Sequence, residues 1–106
     1  MAATPESRVK KLAVEQMKQL KGCYYFYPVT GGYGKSGVPD IVGCYKGLFF
    51  AFECKANGNK PTPLQELNMS QIRDAGGAAL VVTEHNVLFV KAFLENLASE
   101  EARDQT

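Results

Sequence analysis

The stretch Gly37–Lys55, GVPDIVGCYKGLFFAFECK, contains two apolar runs joined by a two-residue turn, Lys46-Gly47. Both runs have the composition of strands, and a glycine in so short a connection favours a hairpin. Pairing the runs through this turn lays Asp40, at the start of the first, near Glu53, close to the end of the second. Because side chains alternate along a strand, Glu53 and Lys55 share one face of the predicted sheet.

The remainder of the chain predicts further elements around this hairpin. They are a helix over roughly Pro5–Lys21, a strand over Cys23–Val29, a helix opened by Thr62-Pro63-Leu64-Gln65 and ended by Gly76-Gly77, a strand over Ala78–Thr83, a short extended piece over Val87–Val90 and a helix from Ala92 to about Arg103. A helix between two strands predicts a parallel crossover. The sequence therefore predicts an α/β fold with the order αβββαβ, in which a mixed central sheet is flanked by helices.

Length and composition predict one domain over residues 1–106. The chain is 45% hydrophobic, and its apolar runs are all far shorter than the roughly 20 residues of a membrane span. Its amino terminus lacks the apolar core of a signal peptide, so we expect a cytoplasmic protein of a bacterial or phage-infected host cell. The three cysteines lack CxxC spacing, which predicts reduced, buried thiols rather than disulfides or a zinc site.

Charge is distributed unevenly along the chain. Residues 1–60 hold nine Lys or Arg against four Asp or Glu, and residues 61–106 hold three against seven, so the halves carry +5 and −4. The positive half could meet a polyanion. The glycine-rich loop that contains Tyr33 and Lys35 lacks the glycine spacing and following helix of a P-loop. Tyr33 and Lys35, with Lys60 after the second hairpin strand, are the candidate DNA contacts.

Two carboxylates beside a lysine suit metal-assisted hydrolysis of phosphodiesters. Mg²⁺ takes one or two protein carboxylates plus water and substrate oxygens, so Asp40 and Glu53 suffice as side-chain ligands, and the backbone carbonyl of Cys54 is a further candidate. Lys55 could orient the attacking water, stabilise transition-state charge or act as a base. The alternative is a structural ion pair on an exposed sheet face.

Two residues outside the hairpin have both a structural and a catalytic interpretation. Glu6 lies within the apolar arc of the first helix, which points it inward, but an acid in the first turn also stabilises a helix end. Gln65 occupies the third position of a capping box, where its side chain would bond the helix start.

Several segments together resemble one nuclease family. Pro39-Asp40 followed by Glu53-Cys54-Lys55 resembles the PD-(D/E)XK signature. With Glu6-Ser7, Gly22, Pro63-Leu64-Gln65 and Gly76 to Val82, the chain resembles the VRR-Nuc (virus-type replication-repair nuclease) family in its stand-alone phage or bacterial form, over roughly Glu6 to Leu97.

The resemblance implies a restriction-endonuclease-like fold and a Mg²⁺- or Mn²⁺-dependent DNA endonuclease. Its catalytic positions would be Asp40, Glu53 and Lys55, with Glu6 and Gln65 near the metal or substrate and Glu6 binding the metal directly or through water. Family members of this size resemble Holliday-junction resolvases that act as homodimers on branched DNA. A flap, nick or single-strand nuclease, a silent nucleic-acid-binding module and a partner-binding protein that uses its aromatic strand remain alternatives.

Overall fold

The chain folds around a four-stranded sheet in a computed structural model that describes residues 4–29 and 34–104. The elements in chain order are α1 (Pro5–Met17), β1 (Tyr24–Phe26), β2 (Ile41–Tyr45), β3 (Leu48–Cys54), α2 (Pro63–Asp74), β4 (Ala78–Val82), a 3₁₀ turn (Val87–Phe89) and α3 (Val90–Asp104). This is the predicted αβββαβ order followed by a further helix.

The sheet has the order β1-β2-β3-β4 and is mixed. Strands β1, β2 and β3 pair antiparallel, and β4 lies parallel to β3 after the α2 crossover. Lys46 and Gly47 both have positive φ, 50° and 81°, as a tight two-residue hairpin turn requires. The turn sets the register that pairs Tyr45 with Leu48 and Ile41 with Phe52. The predicted α/β class and hairpin are confirmed.

The two faces of the sheet are covered differently. Helices α1 and α3 pack on one face, where the side chains of Phe50, Phe52 and Cys54 lie in the main core with those of Met17 and Leu94. Helix α2 packs against β3 and β4 on the opposite face. Its buried residues are Asn68 and Met69. The alternation predicted for the second hairpin strand is therefore confirmed, with Phe50 and Phe52 in the core and Phe49 on the opposite face.

Both long helices that precede strands have a capped start. The hydroxyl of Thr4 accepts from the Ser7 N–H at 3.1 Å, and that of Thr62 accepts from the Gln65 N–H at 3.2 Å. Helix α1 is shorter than predicted, because its last bonds tighten to three-residue spacing, as from the Leu20 N–H to the Met17 carbonyl at 3.0 Å.

Some predictions about local structure are wrong. The first strand is limited to three residues, since Pro28 cannot donate to a ladder. Val87–Phe89 forms a 3₁₀ turn rather than an extended piece. In helix α2, the leucines Leu64 and Leu67, which an amphipathic helix would bury, are 46% and 52% exposed.

The cysteines differ from one another in burial. Cys54 is buried as predicted, whereas Cys23 is half-buried and the thiol of Cys44 is exposed. Among the described residues, none of the helices combines the length and apolar character that crossing a membrane demands.

Candidate active site

Asp40 and Glu53 meet where β2 begins and β3 ends. Asp40 directly precedes β2, and one step beyond the Ile41–Phe52 pair the register sets it opposite Glu53. Residues that face each other in an antiparallel pair lie on the same side of the sheet, so both carboxylates project from the α2 face. Asp40 Oδ2 also accepts a 2.8 Å hydrogen bond from the Cys54 N–H. The two acids predicted to share a small volume are brought together.

Glu53 is the most unusual carboxylate of this group. It is 2% exposed, and within the described part of the chain its Oε1 atom is buried without a hydrogen-bond partner. Burial, followed by the charge and hydrogen bonding of Asp40, raises the pKa of Glu53 from its ordinary value of 4.5 to about 8. The charge of Lys55 lowers this pKa and that of Glu6 raises it. The pKa of Glu53 is raised because burial and the negative charge of Asp40 outweigh the positive charge of Lys55.

Lys55 places its ammonium group on the same face of the sheet as Glu53. Its Nζ lies 3.7 Å from Glu53 Oε2, and only 11% of its side chain is exposed. The alternative of an ion pair on an exposed sheet face does not fit, because both partners are largely withdrawn from water. The ammonium group is therefore in position to interact with whatever the two carboxylates bind.

Cys54 contributes its backbone rather than its thiol. The Lys55 N–H donates to the Val82 carbonyl at 2.9 Å, so the Lys55 backbone faces β4. Neighbouring residues of a strand direct their backbone groups to opposite sides, which turns the Cys54 N–H and carbonyl toward Asp40. Burial and the nearby acids raise the pKa of the Cys54 thiol to about 12, so it stays protonated and is a poor nucleophile.

Glu6 enters this group from the first turn of α1. It is half-buried, and its negative charge raises the pKa of both Glu53 and Cys54, so it interacts electrostatically with these two residues. Lys10 follows one helical turn later and lowers the pKa of the Cys54 thiol, while its Nζ lies 4.3 Å from the ring centroid of Tyr27. The sequence analysis missed Lys10, although its spacing of four residues from Glu6 places both on one side of the helix.

The other predicted site residues lie at the start of α2, in exposed positions or outside the described residues. Gln65 forms both bonds of the capping box, and its Oε1 accepts from the Thr62 N–H at 2.9 Å. Its capping role is thus present, and its amide NH₂ stays free of that bond. Lys35 is exposed and donates to Gln71 Oε1 at 3.0 Å, and Lys60 is exposed. Tyr33 lies outside the described residues.

The donor set fits a hard divalent cation. Two facing carboxylates, an unbonded buried oxygen on Glu53 and a backbone carbonyl turned toward Asp40 are the oxygen ligands that Mg²⁺ and Mn²⁺ prefer. Within residues 4–29 and 34–104, no group of three or more His, Cys, Asp or Glu side chains could hold a metal together. Asp40 and Glu53 are the two carboxylates that would hold such an ion.

Comparisons with known proteins support this fold. No protein-family model matches the chain. Over 83 residues it is 29% identical to the "Putative nuclease p44" of Acyrthosiphon pisum secondary endosymbiont phage 1, covering 77% of this chain and 86% of that protein.

Two solved structures share the fold. A VRR_NUC domain superposes with a TM-score of 0.63 and 27% identity, covering 80% of this chain and 91% of its own. A VRR_NUC domain protein has a TM-score of 0.65 at 17% identity, covering 89% and 88%. The chain shares the fold of VRR_NUC domains and is similar in sequence to one of them and to a phage putative nuclease, which supports a stand-alone nuclease domain of the VRR-Nuc type.

Proposed function

We propose that this protein is a Mg²⁺- or Mn²⁺-dependent DNA endonuclease in which Asp40 and Glu53 hold the cation and Lys55 acts beside it. The observation that carries the proposal is the buried Oε1 of Glu53, which has no hydrogen-bond partner among the described residues. The same carboxylate lies next to Asp40, and its Oε2 is 3.7 Å from the Lys55 ammonium group. A bound cation supplies neutralisation of phosphate charge and a more acidic water.

The chain's own residues have distinct tasks in this proposal. Asp40, anchored by the Cys54 N–H, has one oxygen fixed and the other available for the ion. Lys55 donates to the scissile phosphate and stabilises the charge that develops on its oxygens. Glu6 orients water at the rim of the site, and the Gln65 amide group donates to the substrate from the start of α2. Lys35, Lys60 and Tyr33 contact the DNA backbone.

As the substrate we propose branched DNA, cut by a homodimer in the manner of a Holliday-junction resolvase. One domain of 106 residues contributes one site, and a two-fold pair of sites can cut two strands. So small a domain has little surface for reading bases, so DNA shape and backbone would be recognised. The phage origin of the p44 relative supports action in the cytoplasm of a bacterial or phage-infected cell.

The proposal is tested by incubating the protein with labelled four-way junction, flap, nicked and linear duplex DNA in Mg²⁺, Mn²⁺ or chelator. We expect metal-dependent cleavage that is strongest on the junction and is lost in Lys55→Ala and Glu53→Gln. Lys18→Ala and Glu15→Gln, which alter exposed side chains of α1 or its end, are the matched controls and should cleave normally. Cleavage in chelator, or full activity of Lys55→Ala, would contradict the metal site proposed here.

A flap, nick or single-strand nuclease of the same fold is the second candidate. It is favoured by three exposed aromatic residues, Tyr24, Phe26 and Phe49, on the face that carries Asp40 and Glu53. Substrate comparison in the same assay separates it from a resolvase. A non-cleaving DNA-binding module would bind the junction but cut none of the substrates.

A further inference from the structure

The face of the sheet that carries the candidate site continues into an exposed aromatic surface. The register pairs Val42 with Ala51 and Phe26, and then Cys44 with Phe49 and Tyr24. Paired residues share a face, and so do residues two apart, so these rows lie on the same face as Asp40 and Glu53. Tyr24, Phe26 and Phe49 together are called the aromatic platform below.

The aromatic platform is exposed although its residues are large and apolar. Tyr24 is 67% exposed, Phe26 48% and Phe49 46%. The rings of Tyr24 and Phe26 are 6.3 Å apart between centroids, at an angle of 54°. Among the described residues, helix α2 has its main contacts with β3 and β4, and it has no comparable contact with β1. A contiguous apolar surface of this kind on a small domain marks an interaction site.

A cationic group borders the platform. A depression of about 360 Å³ lies between α2 and the sheet, and its lining includes Phe49, Lys35 and Gln71. Gln71 accepts from the Lys35 ammonium group at 3.0 Å, which holds this charge beside the Phe49 ring. The surface thus combines aromatic faces with a positive charge, the combination by which proteins bind single-stranded nucleic acid.

The distances along the sheet connect the platform with the carboxylates. A two-residue step along a strand is about 6.6–6.8 Å, so Phe26 lies one step from the level of Asp40, and Tyr24 and Phe49 lie about 13 Å away. We propose that the aromatic platform stacks unpaired bases of the DNA strand next to the phosphodiester that is cut. This inference rests on the proposed function and adds that the branched substrate presents unpaired bases at the branch point, beside the phosphodiester that is cut.

A nucleic-acid strand fits this face better than a second copy of the chain. An occupant must meet Lys35 at one end and reach the metal-binding carboxylates at the other, and a phosphate backbone with bases does both. An apolar protein surface would cover Tyr24 and Phe26 and leave the ammonium group of Lys35 without a negative partner. Dimerisation through β1 is the alternative that the experiment distinguishes.

The experiment measures binding separately from cleavage. In the Lys55→Ala background, with Mg²⁺ present, fluorescence anisotropy gives the affinity for a labelled single strand and for a duplex of the same sequence. We expect Tyr24→Ala and Phe26→Ala each to weaken single-strand binding roughly 5- to 150-fold, as loss of one stacked base does, with little effect on the duplex. Tyr24→Phe should restore binding, and Phe89→Ala is the control, since Phe89 is 67% exposed but lies in the 3₁₀ turn outside the platform.

The outcomes distinguish the two proposals. If Tyr24→Ala and Phe89→Ala bind the single strand equally well, the stacking inference is overturned, whatever the wild-type protein cleaves. If Tyr24→Ala changes the molar mass by light scattering and leaves single-strand affinity intact, the platform is an interface between copies and the inference is also overturned. If the wild-type protein cleaves nothing but single-strand affinity depends on Tyr24, the proposed activity fails and the stacking site stands.

Discussion

The Cys54 N–H donates a 2.8 Å hydrogen bond to Asp40 Oδ2, and this bond joins the start of β2 to the end of β3. The Asp40 carboxylate accepts from a backbone N–H of β3 in place of a backbone carbonyl, and it lies opposite Glu53. The same bond that holds the strand ends together thus positions one of the two metal-binding acids. Structural and catalytic roles of Asp40 can be separated by substitutions that keep or remove its acceptor.

Asp40→Asn should keep most of the stability but lose activity, because the amide oxygen still accepts from the Cys54 N–H whereas the negative charge is gone. Asp40→Ala leaves that N–H without its partner, which costs about 1–3 kcal/mol. Urea unfolding of both variants, paired with cleavage assays, checks this. Equal stability of the two variants would show that the bond contributes nothing, and activity in Asp40→Asn would remove Asp40 from the ligand set.

The stability of the metal-free protein should fall as the pH rises. The pKa of Glu53 is about 8 in the folded chain and near 4.5 as the ordinary value, so its protonated form is favoured by folding. The stabilisation of the folded chain by the proton on Glu53 is fully present below the ordinary pKa. It is lost as the pH rises through the pKa of the folded chain. At about 1.4 kcal/mol per pKa unit, the loss is on the order of a few kcal/mol.

Unfolding in chelator between pH 5 and pH 8.5 measures this slope. Glu53→Gln should be flatter than the wild type and more stable than it at the upper end, because the buried amide needs no proton. Glu15→Gln alters an exposed acid and should follow the wild type. Parallel curves for the wild type and Glu53→Gln would mean that Glu53 is ionised as easily in the folded chain as in water.

Divalent cations should reverse that loss. A metal that binds Asp40 and Glu53 in the folded state stabilises it by about 2.7 kcal/mol when its concentration is 100 times the dissociation constant. The melting temperature should rise with Mn²⁺ or Mg²⁺, more at pH 8 than at pH 5, where the ion competes with the proton on Glu53. Glu53→Gln should respond little, whereas an equal rise in that variant would place the ion elsewhere.

The hairpin and its acids could be predicted because the signals are local. The Lys46-Gly47 turn sets the register, the register sets Asp40 opposite Glu53, and alternation sets Lys55 on the same face. The Gln65 capping box is equally local and is found with both of its bonds. Each of these predictions depends on one short stretch of sequence, Gly37–Lys55 for the hairpin and Thr62–Gln65 for the helix cap.

The features that were missed depend on which elements meet in space. The exposure of Cys44 and Leu67 follows from α2 covering only part of the sheet, which no periodicity encodes. The contact of Lys10 with the Tyr27 ring joins α1 to the segment after β1. The 3₁₀ turn at Val87–Phe89 shows the same limit, since a short apolar run is equally compatible with a strand.

Gly43→Ala should detach β1 from the sheet. A Cβ at position 43 would lie well inside contact distance of the Tyr24 carbonyl oxygen and against the Phe50 ring, both of which are fixed by neighbouring strands or the core. Relief requires a backbone shift, which we expect to cost about 1–3 kcal/mol. Thermal unfolding measures this loss.

Gly58→Ala is the control, because its Cβ would meet nothing within 4 Å and only its φ of 76° opposes the change. Should Gly43→Ala unfold no more easily than Gly58→Ala, β1 is not held against β2 as closely as this register requires. A shifted β1 also displaces Tyr24 and Phe26, so single-strand affinity should fall with the stability of the variant.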